Sequence, residues 1–411
     1  MFKNLTIDDW RQFKNINIDL GKEVTIITGA NGTGKTTLLN FLNSHFGWEL
    51  EVLSTPEKDS STGFMRYFTG FSKLYNKEEQ KFLNIGLIKY SDDNEGIVQI
   101  PVESGASYKF NIINKKSISG MHIPSHRPVN SYKEVDSIPT KPKSKEDYFE
   151  EYNANVFDKF SNKSEWLKNV SPSYLLKQSL IGLATFGYGN DHVIENKEYA
   201  ELFEGFQNTL KLLLPKSLGF EKLEIRIPEV VLVTATGDFS IDSASGGVSS
   251  IISLAWQIYM FSQNKDKFAI TIDEPENHLH PSMQRELIPN LVSAFPKAQF
   301  IVVTHSPFIV SSSKSASVYA LQYNDENKVT SQYLDMIDKS GSASKILRDV
   351  LGVPVTIPVW VESELNKVIS NYSSKGITEN LLSDMRVELD SKGLGEYMPQ
   401  AVTLVVENIG D

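Results

Sequence analysis

Residues 23–28, Glu-Val-Thr-Ile-Ile-Thr, are an apolar, β-branched run that predicts a strand buried on both faces. Two more runs read the same way: 268–272, Phe-Ala-Ile-Thr-Ile, and 299–303, Gln-Phe-Ile-Val-Val. Segments 84–90, 96–102 and 108–113 alternate apolar and polar positions and predict half-exposed strands, with residues 92–96, Asp-Asp-Asn-Glu-Gly, as a hairpin turn. Helical spacing appears near 145–169, 172–183 and 200–214, then 223–233 returns to strand. The run 251–263 is helical and apolar on much of its surface, and a further helix begins at about 282. Past 340 the spacing predicts helices at 343–350, 362–372 and 379–392. The Pro/Lys/Ser stretch 135–145 reads as a linker. No sustained heptad run, internal repeat or low-complexity tract interrupts this order.

The first strand runs into chemistry. Residues 29–37 read Gly-Ala-Asn-Gly-Thr-Gly-Lys-Thr-Thr, which fits the phosphate-loop pattern G-x-x-x-x-G-K-[ST] between a strand and a helix. The glycines allow backbone turns that aim N–H groups at phosphate oxygens. Lys35 would reach the β- and γ-phosphates, and the Thr36 hydroxyl would ligate Mg²⁺. Asn31, Gly32, Gly34 and Thr37 complete the candidate nucleotide cradle. The strand 268–272 ends in Asp273-Glu274, at the strand edge where open α/β sheets bind ligands. Asp273 suits a water on Mg²⁺, and Glu274 suits a general base for the attacking water. His305 follows Glu274 by 31 residues. That is room for one helix and a return strand, so the two strand ends should be neighbours. An imidazole there can hydrogen-bond a γ-phosphate. Finally, Ser243-Ala-Ser-Gly-Gly-Val-Ser-Ser opens the helical run after residue 243. Taken alone, that is equally an anion site or a serine N-cap.

This order of elements resembles the ABC-type ATPases, which implies an α/β P-loop NTPase fold. Here it would have a β-rich first lobe, a helical insert and a C-terminal helical extension. Ser245, Gly246 and Gly247 match the family's signature, Asp273 and Glu274 its Walker B aspartate and catalytic glutamate, and His305 its switch histidine. Details resemble the SMC- and OLD-like branch. Trp10-Arg11-Gln12-Phe13 matches an early aromatic-Arg-x-Phe element. Residues 273–281, Asp-Glu-Pro-Glu-Asn-His-Leu-His-Pro, and 304–307, Thr-His-Ser-Pro, look like stretches of prokaryotic OLD-like and antiphage-defence ATPases. The tail 341–351, with the helices after it, looks similar to the end of Septu-type and retron-associated ATPase subunits, so the whole resembles ATPase subunits of defence systems of Septu, retron-associated or PARIS type. The resemblance covers about residues 1–45 and 240–345 and implies two heads closing on two ATP molecules, the signature of one on the γ-phosphate of the other. It also implies a nucleotide contact for Arg11. Val248 stands where the family usually has Gln or Glu. The Q-loop residue has two candidates, Gln99 and the His126-Arg127 pair.

Composition narrows the rest. Zero cysteines exclude disulfides, thiolate zinc sites and cysteine nucleophiles, which fits the cytoplasm. A net charge of −10 argues against indiscriminate nucleic-acid binding, although a local groove across a dimer remains open. The basic cluster 141–145 reads as a solvated linker. No apolar run reaches membrane-spanning length, and the first residues read as a strand rather than a signal peptide. Glu276, His278 and His280 suggest a metal site, but without a third well-spaced ligand a dimer-interface loop is the better reading. The expected domains are a first ATPase lobe at 1–130, a mainly helical insert at 131–235, a second lobe at 236–340 and a helical extension at 341–411. The tail is too short for the Toprim nuclease domain of OLD-family proteins. Two functions follow as expectations. One is an ATP- and Mg²⁺-dependent switch, a homodimer or higher homo-oligomer that controls a separately encoded nuclease or toxin effector. The other is a stand-alone DNA-repair or DNA-end-processing ATPase. A third, the nucleotide-binding subunit of an importer, is disfavoured by the Arg element and the 273–281 stretch.

Overall fold

The early apolar run becomes a strand with all of its residues buried, and the elements before and after it assemble around that strand. In chain order the first lobe contains β1 (Phe2–Ile7), β2 (Ile16–Asp19), β3 (Val24–Gly29) and α1 (Lys35–Asn43). Short strands follow: β4 (Val52–Leu53), β5 (Thr55–Lys58) and β6 (Met65–Phe68). Then come β7 (Phe82–Tyr90), β8 (Glu95–Pro101), β9 (Ser107–Tyr108), β10 (Asn111–Ile113) and β11 (Gly120–Ile123). The middle of the chain supplies α2 (Lys145–Ser161), α3 (Pro172–Gly187), α4 (Lys197–Leu213), β12 (Phe220–Arg226), β13 (Glu229–Thr234) and β14 (Phe239–Ser240). The second lobe runs α5 (Gly246–Ser262), β15 (Phe268–Asp273), α6 (Pro281–Ala294), β16 (Ala298–Thr304), α7 (Pro307–Val310), β17 (Ser317–Tyr323) and β18 (Val329–Leu334). The computed structural model describes residues 1–49, 51–58, 63–70, 81–102, 105–126, 132–141, 143–161, 171–335, 343–349, 351, 359–373, 379–399, 401–402 and 405.

Two sheets enclose α1. One is antiparallel, in the order β10-β8-β7-β1-β2. The other runs β11-β15-β16-β3-β17-β18 and is parallel apart from β18. Leu38, Leu39, Phe41 and Leu42 of α1 share one core with Leu5, Ile7 and Ile88 of the first sheet and Ala269, Ile301 and Val303 of the second. A polar thread crosses this core. The Thr271 hydroxyl donates to Asn43 Oδ1 at 2.6 Å and lies 3.0 Å from His122 Nδ1. Burial pulls the His122 imidazole down to about 3, so it is neutral at physiological pH. Outside the parallel sheet, α5 is buried along most of its length and packs with α2, α3 and α4. The fold is thus the α/β P-loop arrangement with a β-rich first lobe.

Two expected strands are divided. Segment 108–113 splits into β9, which pairs with β4, and β10, which pairs with β8. Between them Phe110 turns inward against Phe41, with ring centroids 4.7 Å apart. Segment 223–233 is a hairpin, β12 with β13, because Pro228 has no N–H to continue a ladder. The helices begin where capping residues stand. The Ser171 hydroxyl accepts from the Tyr174 N–H at 3.1 Å, and Asn196 Oδ1 accepts from Tyr199 at 3.4 Å. Of the expected helix 145–169, residues 162–169 lie outside the described residues. In the basic cluster, Lys143 reaches Glu151 at 2.6 Å and Lys145 reaches Glu198 at 3.7 Å.

Contacts divide the chain into two units, Met1–Ile346 and Leu347–Asp411. A short helix, α8 (Ala343–Asp349), spans the boundary, and residue 350 lies outside the described residues. The second unit holds α9 (Val359–Ser373) and α10 (Glu379–Ser391). Val361, Leu365, Val368 and Ile369 form one helical stripe of α9 that packs with Met385 and Leu389 of α10. Among the described residues no helix is long and apolar enough to cross a membrane.

One buried charge cluster ties the helical segment to the second lobe. Lys177 of α3 is 0% exposed and lies over the Tyr132 ring. Its Nζ donates to the Lys133 carbonyl at 2.8 Å and pairs with Glu229 at 3.3 Å and with Asp242. Lys177→Met leaves both carboxylates without their cation, so it should lower the unfolding free energy by about 3–5 kcal/mol. Urea unfolding measures this; a loss below about 1 kcal/mol would mean that Asp242 and Glu229 are satisfied without Lys177.

Candidate nucleotide-binding and hydrolysis site

Strand β3 delivers the phosphate loop to the carboxyl edge of the parallel sheet. Gly34 has φ +86°, and a Cβ there would lie 2.4 Å from the Phe13 ring, so only glycine fits this position. Gly34 also caps α1 without a side-chain bond, leaving the first helical N–H groups available to an anion. Lys35 is buried, and its Nζ donates to the Gly29 and Ala30 carbonyls, each at 2.9 Å. Burial pulls the Lys35 ammonium down to about 8, against the opposing charges of Glu274, Asp273 and Glu276. Asn31 and Gly32 are exposed at the loop tip, and the Tyr323 hydroxyl donates to the Gly32 carbonyl at 3.3 Å. Thr37 is half-buried in the first turn of α1.

Strand β15 brings the acidic pair beside this loop. The Thr36 hydroxyl donates to Asp273 Oδ2 at 3.0 Å. Asp273 is 3% exposed, and burial pushes its carboxyl up to about 6. Its Oδ1 is buried with no hydrogen-bond partner. A hydroxyl, an under-compensated carboxylate and an orphaned oxygen are hard oxygen donors, which suit Mg²⁺. Glu274 sits at φ +48°, an uncommon backbone for a residue with a side chain, and its N–H bonds the Val303 carbonyl at 2.8 Å. Glu274 Oε1 lies 3.2 Å from His305 Nε2, and Oε2 accepts from Asn277 Nδ2 at 3.2 Å. Burial first, then the Lys35 charge, hold the His305 imidazole below its ordinary value, with Glu274 and Glu276 opposing. The imidazole is therefore neutral at physiological pH, with one ring N–H to donate.

The remaining candidates make other contacts. The Arg11 guanidinium lies over Trp10 and Tyr108, 5.2 and 5.8 Å from the ring centroids, and donates to the Leu53 carbonyl. Ser245 and Gly246 are exposed at the start of α5. Gly247 is buried against the same chain's 278–283 turn, where a Cβ would meet the His278 carbonyl at 3.0 Å. Gln99 bonds Asn84 across β7 and β8 at 2.7 Å. His126 is exposed, and Arg127 lies outside the described residues. The loop before it does reach the site, because the Ser125 carbonyl accepts from Asn277 Nδ2 at 3.1 Å. His280 caps its own helix through Ser282, and no cluster of three or more His, Asp and Glu side chains placed to hold a metal ion occurs among the described residues. Asn277 carried no sequence expectation, and Glu276, weighed there only beside His278 and His280, instead bonds Thr304, His305 and Ser306. The signal for both was their place in the motif directly after Asp273-Glu274.

The burial of Asp273 has a stability consequence. Its folded-state pKa, about 6, lies above the ordinary 3.8. Its contribution to stability is therefore complete below pH 3.8 and is lost as pH rises through 6. Asp273→Asn should raise the thermal midpoint of the nucleotide-free protein above pH 6, by about 2 °C, with the gain shrinking as pH falls toward 3.8. Were Asp273 a Mg²⁺ ligand, the substitution would also remove stabilisation by ATP with Mg²⁺. Scanning calorimetry checks both; a lowered midpoint above pH 6 would contradict the burial argument.

The chain is 21% identical over 405 residues to the Septu protein PtuA of Bacillus thuringiensis, covering 92% of each chain. It is 25% identical over 236 residues to the retron Ec83 probable ATPase of Escherichia coli, covering 56% of this chain and 40% of that one. Among solved structures it is similar to the SMC head domain from Thermotoga maritima, with a TM-score of 0.41 and 14% identity, over 82% of this chain and 100% of that one. The profile of the AAA ATPase domain family matches residues 53–310, which is more than half of the sequence and begins beyond the phosphate loop. With the phosphate loop, Asp273 and Glu274 on one edge of a parallel sheet, the chain belongs to the AAA ATPase domain family.

Proposed function

We propose that this protein is the ATP-binding and ATP-hydrolysing switch subunit of an antiphage defence system, whose ATPase heads dimerise around ATP and control a separately encoded effector, a nuclease or toxin. The observation that carries the ATPase reading is the convergence of Lys35, Thr36, Asp273, Glu274 and His305 at the ends of three adjacent parallel strands. The names of the relatives, a Septu protein and a retron ATPase, support the setting in defence. Residues 1–130 and 236–340 would be the two ATPase lobes, with 131–235 as insert and 341–411 as extension.

The residues suggest a sequence of events. Phosphate oxygens take over the Lys35 ammonium from the Gly29 and Ala30 carbonyls and accept from the N–H groups at the start of α1. Thr36 and Asp273 would hold Mg²⁺, which supplies charge neutralisation on the phosphates when bound. Glu274 accepts a proton from water as the water oxygen bonds to the γ-phosphorus and the bond to the ADP oxygen breaks. Neutral His305 donates its ring N–H to the γ-phosphate, and loss of that acceptor returns it to Glu274. Ser245, Gly246 and Gly247 of a second copy would close over the same phosphate, since in one chain they face solvent or the 278–283 turn.

Lys35→Ala should abolish ATP binding, and Glu274→Gln should keep binding while lowering turnover by about 100-fold or more. Equilibrium binding and phosphate release test this; normal ATP binding and turnover in both variants would overturn the site assignment. For the setting, Glu274→Gln protein expressed with its genomic neighbours and purified with ATP and Mg²⁺ is read by native mass spectrometry. A stoichiometric complex with a neighbour's product is expected. A bare ATP-locked dimer whose wild-type turnover rises with added DNA would favour the DNA-repair ATPase instead.

A further inference from the structure

Glu276 reaches from the turn after β15 to the loop that carries His305. One of its oxygens, Oε1, accepts three hydrogen bonds: from the Thr304 hydroxyl at 2.7 Å, the His305 N–H at 2.7 Å and the Ser306 N–H at 3.1 Å. Its other oxygen is buried with no partner. A carboxylate that leaves one oxygen orphaned costs stability, so this turn is not arranged for stability alone. What the carboxylate gains is three charge-assisted bonds on the short loop that carries His305, each roughly twice as strong as a neutral one.

The loop is held from its far side as well. The Ser306 hydroxyl donates to Gln284 Oε1 at 2.6 Å and caps the Phe308 and Ile309 N–H groups at 3.1 and 3.3 Å. His305 is thus gripped twice by one turn, its ring by Glu274 and its backbone by Glu276. Asn277 locks that turn in place by bonding both Glu274 Oε2 and the Ser125 carbonyl.

We propose that Glu276 is a positioning residue for hydrolysis: by bonding the Thr304 hydroxyl and the backbone N–H groups of His305 and Ser306 it sets where the His305 imidazole stands between Glu274 and the phosphate loop. This rests on the reading of His305 as the γ-phosphate contact. Nucleotide binding is left to the phosphate loop, whose residues make none of these bonds. Removing Glu276 therefore separates turnover from binding.

The test uses the full chain, ATP with Mg²⁺, and five forms: wild type, Glu276→Ala, Glu276→Gln, His305→Ala and the Glu276→Ala/His305→Ala double variant. Glu276→Ala should lower kcat about 10- to 100-fold while the ATP Kd stays within about threefold. Glu276→Gln should recover part of the rate, because an amide oxygen accepts from the same three donors. The double variant should be no slower than His305→Ala alone, since Glu276 acts through His305. Multiplying effects in the double variant, or binding lost in proportion to kcat, would overturn the proposal. If Glu276→Ala does not fold, Thr304→Val removes one of the three donors at constant shape and should show the same split at smaller size. His305→Ala turning over at the wild-type rate would sink the underlying reading of His305. A slow His305→Ala beside a wild-type-like Glu276→Ala would sink the Glu276 inference alone.

Discussion

Parallel pairing of β15, β16 and β3 in one register is the constraint on which the site depends. Asp273 lies level with Val303, and Thr304 with Thr28, so three strands end together at one edge. The hydrogen-bond ladder holds these ends at the inter-strand spacing, which no side-chain contact could enforce over residues so far apart in sequence. Thr36 then meets Asp273 across 237 positions of chain, and Glu274 meets His305. The interior of the sheet is fully buried, so a slip of one residue would turn a whole row of Ile and Val side chains from one face to the other.

The same burial loads the site electrostatically. Lys35 and Asp273 are both taken out of water, and their values move toward each other, down to about 8 and up to about 6. Neither is fully compensated, since the Lys35 ammonium rests on two carbonyls and one Asp273 oxygen has no partner. An anion beside Lys35 and a cation beside Asp273 would each favour the charged form of their neighbour. Binding energy is thereby stored as unsatisfied desolvation, at the expense of stability in the unliganded protein.

Around this edge the rest of the first unit acts as support. The Trp10–Phe13 turn packs against Gly34 and holds the start of α1, with Trp10 Nε1 donating to the Thr69 carbonyl at 3.0 Å. The helical segment reaches the start of α5 through Lys177 and Asp242, three residues before Ser245. A shift of α3 would therefore be felt at the start of α5.

Sequence alone was enough for features whose physics is local. The phosphate loop is a strand, a glycine turn and a helix start within 20 residues, and the strands of the parallel sheet announce themselves as apolar runs because both faces are buried. Asp273 and Glu274 were legible because they terminate such a run. Tertiary structure alone decided the features that need distant partners. It tied Arg11 to Leu53, Trp10 and Tyr108, divided the 108–113 segment between two sheets, and placed Gln99 in a strand pair with Asn84. It also turned Glu276 toward Thr304, His305 and Ser306, a set that no local spacing encodes. The division has one physical cause: backbone preferences and burial on both faces of a strand act over a few residues, whereas the partner of a carboxylate is chosen by how the strands pair.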